Sequence, residues 1–168
     1  ANTHRISKAL DTLRDGLVPK CEATWLGFFG DDWLDEINGR MHHPDKNPST
    51  NDVAYLLKGI KATWNDVFSH GFTPEDRSLV FEVSKVRNTW AHQGSFTSDD
   101  TIRALDSMER VLDAFGAPDE RLAIRKLRRD LMRQMFDEEA RGERRKTAAK
   151  PTEGQPQAGL TPWREVIS

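Results

Sequence analysis

A chain of 168 residues with 36% hydrophobic and 31% charged side chains has the make-up of one globular domain with an appendage. No apolar run approaches the ~20 residues of a membrane helix, the N-terminal residues show no apolar signal-peptide centre, and the lone cysteine, Cys21, excludes an internal disulfide framework. The net charge of −2 is uneven: residues 1–118 carry 13 basic and 18 acidic side chains (−5), and residues 119–150 carry 11 and 7 (+4). A basic end on an acidic body suits a polyanion at one place without making a general nucleic-acid binder. Cys21 reads as a helix-packing residue and fits a reducing, cytoplasmic setting.

In chain order, the first predicted helix covers 3–28, with Ile6, Leu10, Leu13 and Leu17 at helical spacing and Gly16 and Pro19 as points where it bends or divides. Asp31 and Asp32 open a short helix at Trp33. Residues 38–52 are polar, with Gly39, Pro44 and Pro48, and read as a loop. A second long helix is predicted over 52–69, on the apolar face of Val53, Leu56, Leu57, Ile60, Trp64, Val67 and Phe68. Thr73 caps the next helix with Pro74 at its first position, and that helix ends near His92. Thr97 opens a helix with the stripe Ile102, Leu105, Met108, Leu112 and Phe115, stopped by Gly116. After Pro118 comes a basic helix on Ile124, Leu127, Leu131 and Met135, widened by Leu122, Met132 and Phe136.

The expected architecture is therefore all-α, a bundle of four to five helices with an extended basic C-terminal helix. It divides into a bundle over 1–136, a charged helical extension over 137–150, a linker over 151–162, and a tail over 163–168. In that tail Trp163, Val166 and Ile167 start a further region or dock back on the bundle.

Two motifs stand out. His43-Pro44-Asp45 matches the loop tripeptide of J-domain co-chaperones, but Asp31, Asp32, Asp35 and Glu36 precede it where a basic helix is required. His42 and His43 are adjacent in a loop without a second ligand pair, which reads as solvated side chains rather than a metal site. The second motif is Arg87-Asn88-Thr89-Trp90-Ala91-His92. Leu79, Val83, Val86 and Trp90 form one stripe of its helix, with Arg87 at the edge. Asn88 and His92 lie on the opposite side, which Val80, Phe81, Ser84 and Ala91 share. Apolar residues on a second face need a partner there, either another helix or a second copy of the chain.

The Arg-Asn-x-x-x-His string, in the run VRNTWAHQ at the end of the third long helix, resembles the signature of HEPN domains. Together with LDTLRDGLVPKCEATW and TPWREVI, it is similar to the Swt-type branch. The resemblance implies a helical, RNA-directed domain, in many members a metal-independent endoribonuclease needing no cofactor. It assigns catalysis to Arg87 and His92, support to Asn88, and pairing of two copies around one cleft. Val80, Phe81, Ser84 and Ala91 are then the candidate surface of the homodimer. It also implies a following ATPase region and a role in host defence. The residue types suit the chemistry, since imidazole moves protons near neutral pH and a planar guanidinium matches phosphate oxygens. The alternative is an inactive HEPN module serving dimerisation or RNA binding.

Overall fold

The computed structural model describes residues 1–154, with side chains through residue 148. The described residues contain α-helices and no strand: α1 (Asn2–Phe29), α2 (Trp33–Gly39), α3 (Val53–Ala62), a 3-10 turn (Phe68–His70), α4 (Pro74–Ala91), α5 (Ser98–Ala114) and α6 (Pro118–Gly154). The all-helical expectation holds.

The bundle is built on α1, whose buried Ile6, Ala9, Leu10, Leu13, Leu17, Cys21 and Trp25 recur every three or four residues along one face. That face meets α5, which supplies Ala104, Leu105, Met108, Val111 and Leu112. Each fully buried Leu, Ile, Val or Met side chain among them contributes about 1.5–3 kcal/mol. Gly16 does not divide α1, which is continuous through Pro19. It marks the close approach to α5, where a Cβ would stand 2.4 Å from Leu112 Cδ2. Burial pushes the Cys21 thiol well above its ordinary range, so it is a packing residue here.

The helix predicted over 52–69 is shorter than expected. Its α-geometry stops at Ala62, and the chain turns through the 3-10 segment. At the break, Thr63 Oγ1 donates to the Gly59 carbonyl (2.7 Å) and accepts from the buried Trp25 indole N–H (3.0 Å). The tighter path seats Trp64 and Phe68 nearly parallel, centroids 6.0 Å apart, against Phe72 and Phe115. Packing of large rings overrides helical periodicity here.

Thr73 and Thr97 each form a reciprocal capping box, with Asp76 and Asp100 three residues on. These boxes fix where α4 and α5 begin. Asn2 Nδ2 donates to the Phe96 carbonyl (3.0 Å), tying the start of α1 to the loop after α4. Buried Glu109 of α5 accepts from Arg125 Nε (3.0 Å) and from Arg128, both on α6.

The chain divides into two units, one over Ala1–Asp130 and one that begins at Leu131. The first is the bundle. The second, as far as it is described, is the continuation of α6 through 137–150 to Gly154. Leu122, Met132 and Phe136 are exposed, Phe136 by 73%, so they do not widen a buried stripe. The rest of the expected linker and the 163–168 tail lie outside the described residues. Among the described residues no helix is long and apolar enough to cross a membrane.

Candidate active site at the end of α4

Helix α4 is held on two sides, packing on α5 along one face and on α3 along another, with a smaller contact to α1. This corrects the expected pairing surface. Val80 is fully buried and Ser84 is 6% exposed, both inside the protomer, so neither is available to a second copy. The face that needed a partner found another helix. Leu79, Val86 and Trp90 are partly buried against the core rather than fully sunk in it. The helix is rotated so that Val80, Val83 and Ser84 point most directly inward. Phe81 is half-buried between two cations, Arg77 at 4.5 Å and Lys61 at 5.4 Å from its ring centre. Ala91 is exposed.

One turn beyond Val83 and Ser84, the same geometry brings Arg87 to the edge of the bundle. It lines a cavity of about 160 Å³ between α3 and α4 with Asn88, Ser84, Lys58 and Lys61, over apolar Ala54 and Leu57. Two buried polar atoms here have no hydrogen-bond partner, Ser84 Oγ and Arg87 Nε. A buried donor left unmatched costs about 1–3 kcal/mol. Helical hydroxyls elsewhere in the chain bond back to the carbonyl four residues earlier, as Ser78 does to Pro74 (3.2 Å) and Thr101 to Thr97 (2.8 Å). Ser84 forgoes that bond.

The electrostatics are one-sided. Among the described residues no carboxylate forms an ion pair with Lys58, Lys61 or Arg87, although other arginines, such as Arg14, Arg40 and Arg103, have one. Lys58 Nζ reaches only the His43 carbonyl, at 3.4 Å. Burial, and then the charge of Lys58, hold the Lys61 ammonium below the usual lysine range.

His92 is the C-cap residue of α4 and is exposed. Its N–H donates to the Asn88 carbonyl (3.1 Å), so it stands one turn past Asn88, about 6 Å along the axis at ~1.5 Å per residue. It does not line the α3–α4 cavity. The helix closes behind it in a Schellman arrangement: Gly94 N–H bonds the Thr89 carbonyl (2.8 Å) and Gln93 N–H the Trp90 carbonyl (3.2 Å). The left-handed residue of that motif is Gln93, at φ 59°. The structure thus brings Arg87 and Asn88 to one cavity and sets His92 one turn further along α4, outside that cavity.

Sequence reasoning missed Lys58 and Lys61. Their spacing of three residues puts them on one face of α3. That α3 lies beside the motif helix is not visible in the spacing.

The His43-Pro44-Asp45 loop has a structural explanation. Asn38 of α2 exchanges two bonds with the Asp45 backbone, each 3.0 Å, and the Asp45 carboxylate accepts from Asn47 N–H (3.1 Å). Tyr55 hydroxyl donates to the same Asn38 side chain (2.9 Å), and its phenol is pushed up to about 12 by burial, then by the Asp45 and Asp35 charges. Helix α2 carries Asp35 and Glu36 and no Lys or Arg. His42 and His43 stack edge to face, centroids 4.5 Å apart. Among the described residues no group of three His, Cys, Asp or Glu side chains converges.

Searches of curated proteins and of solved structures return no significant match. A family model does match: Swt1-like HEPN, over residues 8–116. That span runs from α1 to the end of α5 and includes the co-chaperone-like loop, the α3–α4 cavity and the Arg-Asn-x-x-x-His string. The chain belongs to the Swt1-like HEPN family.

Proposed function

We propose that this chain is a HEPN endoribonuclease domain that cuts RNA by attack of a ribose 2′-hydroxyl on the neighbouring phosphate, without a metal ion. His92 moves the proton, Arg87 neutralises the charge that builds on the phosphorane, and Asn88 holds the substrate. The observation that carries this reading is the Arg87 guanidinium. It is half-buried, has no carboxylate partner among the described residues, and opens into a cationic cavity one turn below an exposed histidine. A guanidinium confined there matches a phosphate better than it serves the fold.

One protomer supplies one arginine and one histidine, and its His92 lies outside the cavity that Arg87 lines. Two copies apposed at the ends of α4 would let one copy's His92 serve the other's Arg87. With Val80 and Ser84 assigned to the core, the pairing surface reduces to Phe81 and Ala91 beside the exposed Asn88 and His92. The same displacement of His92 favours a second reading, a non-catalytic HEPN module that binds RNA or pairs copies of a larger ATPase-containing protein.

The test is cleavage of single-stranded RNA in excess EDTA, with 2′,3′-cyclic phosphate ends as product. His92→Ala should lower the rate by ~10²–10⁴-fold, the usual weight of a proton-transfer group. Mixing Arg87→Ala with His92→Ala protomers should restore part of the activity, because the mixed dimer retains one of each group. Binding without cleavage selects the second reading. Cleavage that survives both substitutions sinks the first.

A further inference from the structure

We propose that the α3–α4 cavity is a phosphate subsite in which Lys58, Lys61 and the Ser84 hydroxyl hold an RNA backbone phosphate beside Arg87. The inference rests on the RNA-directed reading above and adds to it three groups outside the Arg-Asn-x-x-x-His string.

Four observations converge on a phosphate. Lys58, Lys61 and Arg87 line one cavity, and none has a carboxylate partner among the described residues. Three cations held together repel one another, and an anion between them removes the repulsion. Ser84 is more than nine-tenths buried, lines the cavity, and has an unpartnered Oγ. Arg87 Nε is buried and unpartnered beside it, so a donor of either kind is open to one acceptor-rich ligand. The cavity's 160 Å³ is far above the ~10–15 Å³ of such space that one water needs, and leaves room for a tetrahedral oxyanion. A stacked base fits less well. No aromatic side chain lines the cavity.

The subsite also suits the chemistry. A phosphate fixed by α3 and α4 together sets the register of the strand, so that the bond to be cut lies at the exposed end of α4. Lys58, Lys61 and Ser84 are then positioning residues. They act by holding the phosphate beside Arg87 rather than by taking part in proton transfer.

The experiment uses the full chain and a short fluorescent single-stranded RNA carrying 2′-O-methyl groups throughout. That RNA cannot be cut by its own 2′-oxygens, so binding is read apart from cleavage. For single strands, the slope of log K against log[salt] falls by about 0.7 for each phosphate that the protein no longer neutralises. Lys58→Gln/Lys61→Gln should therefore flatten the slope by up to about 0.7, the share of one phosphate, and Lys58→Gln alone, at an exposed position, by less. Ser84→Ala should weaken binding several-fold at fixed salt and leave the slope unchanged, because the group removed is neutral. An unchanged slope in both lysine variants, with thermal unfolding as in the parent, overturns the proposal. Inorganic phosphate that perturbs the Ser84 and Arg87 NMR signals while RNA affinity ignores both lysines overturns the RNA assignment. Failure of the parent chain to cleave unmodified RNA, with these slopes observed, removes the catalytic reading and leaves the subsite standing.

Discussion

Helix α4 faces two neighbours, and its two sides treat charge in opposite ways. Toward α5, Glu82 accepts from the Ser107 hydroxyl and from Arg103 (3.1 Å), and Glu109 behind it accepts from Arg125 and Arg128. Toward α3, Lys58, Lys61 and Arg87 have no counter-ion among the described residues, and Ser84 Oγ and Arg87 Nε have no partner. The same helix, a few residues apart, shows polar groups arranged for the fold and polar groups left open. On the α5 side a ligand has nothing to add. On the α3 side Ser84 Oγ and Arg87 Nε are buried without a partner among the described residues, and such an arrangement lowers stability in the free state.

Breaking the α5 side should have the largest effect on stability and the least on RNA. Glu109→Ala strips the acceptor from two arginines that are partly withdrawn from water, and should destabilise the fold by about 3 kcal/mol in denaturant titration. The value lies at the low end of the buried-pair range because Arg125 and Arg128 keep some solvent contact. RNA affinity measured below the unfolding transition should not change. On the α3 side the sign reverses. Ser84→Ala removes an unmatched buried hydroxyl and should raise stability by about 1 kcal/mol while weakening RNA binding. A variant that loses both stability and binding would show Ser84 to be ordinary core.

The smallest effect is pH-dependent. The Ser107 hydroxyl, then Arg103, hold the Glu82 carboxyl below its usual range, against an opposing push from burial. A depressed folded-state pKa gives stability that is present above the unfolded value, roughly pH 4.3, and lost as pH falls through the folded value. Glu82→Gln should flatten the acid limb of the unfolding curve by lowering stability modestly at neutral pH, with little effect at pH below the folded value.

Much of this is legible in the residues. The caps at Thr73 and Thr97, the stripe of α1 and the stop at Gly116 each follow from local chemistry with one solution. The Arg-Asn-x-x-x-His string is legible as a family resemblance. What spacing conceals is azimuth. Helix α4 has apolar residues on two faces, and periodicity alone does not say which face turns inward, so Val80 and Ser84 look open to a second copy when α3 takes them. Likewise Trp64 and Phe68 continue the period of α3 but sit on a turn, because ring packing sets their places. Lys58 and Lys61 are invisible for a simpler reason. Two lysines on a polar helix face look solvated until the neighbouring helix is known.

The two Schellman ends, at α4 and α5, differ at the left-handed position, and this bears on time as well as structure. Behind α5, where Gly116 N–H bonds the Asp113 carbonyl (3.1 Å) and Ala117 N–H the Leu112 carbonyl (2.9 Å), that position is Gly116, at φ 70°, which a glycine adopts freely. Behind α4 it is Gln93, whose side chain makes the same conformation less favourable by about 1 kcal/mol. The last turn of α4 therefore opens roughly fivefold more often than an equivalent turn closed by glycine, since ~1.4 kcal/mol is a tenfold change in an equilibrium constant. His92 rides on that turn. The Gly94 amide, bonded to Thr89 at 2.8 Å, is released whenever the turn opens, so its exchange with solvent serves as a clock for the excursions of the one histidine on which the proposed reaction depends.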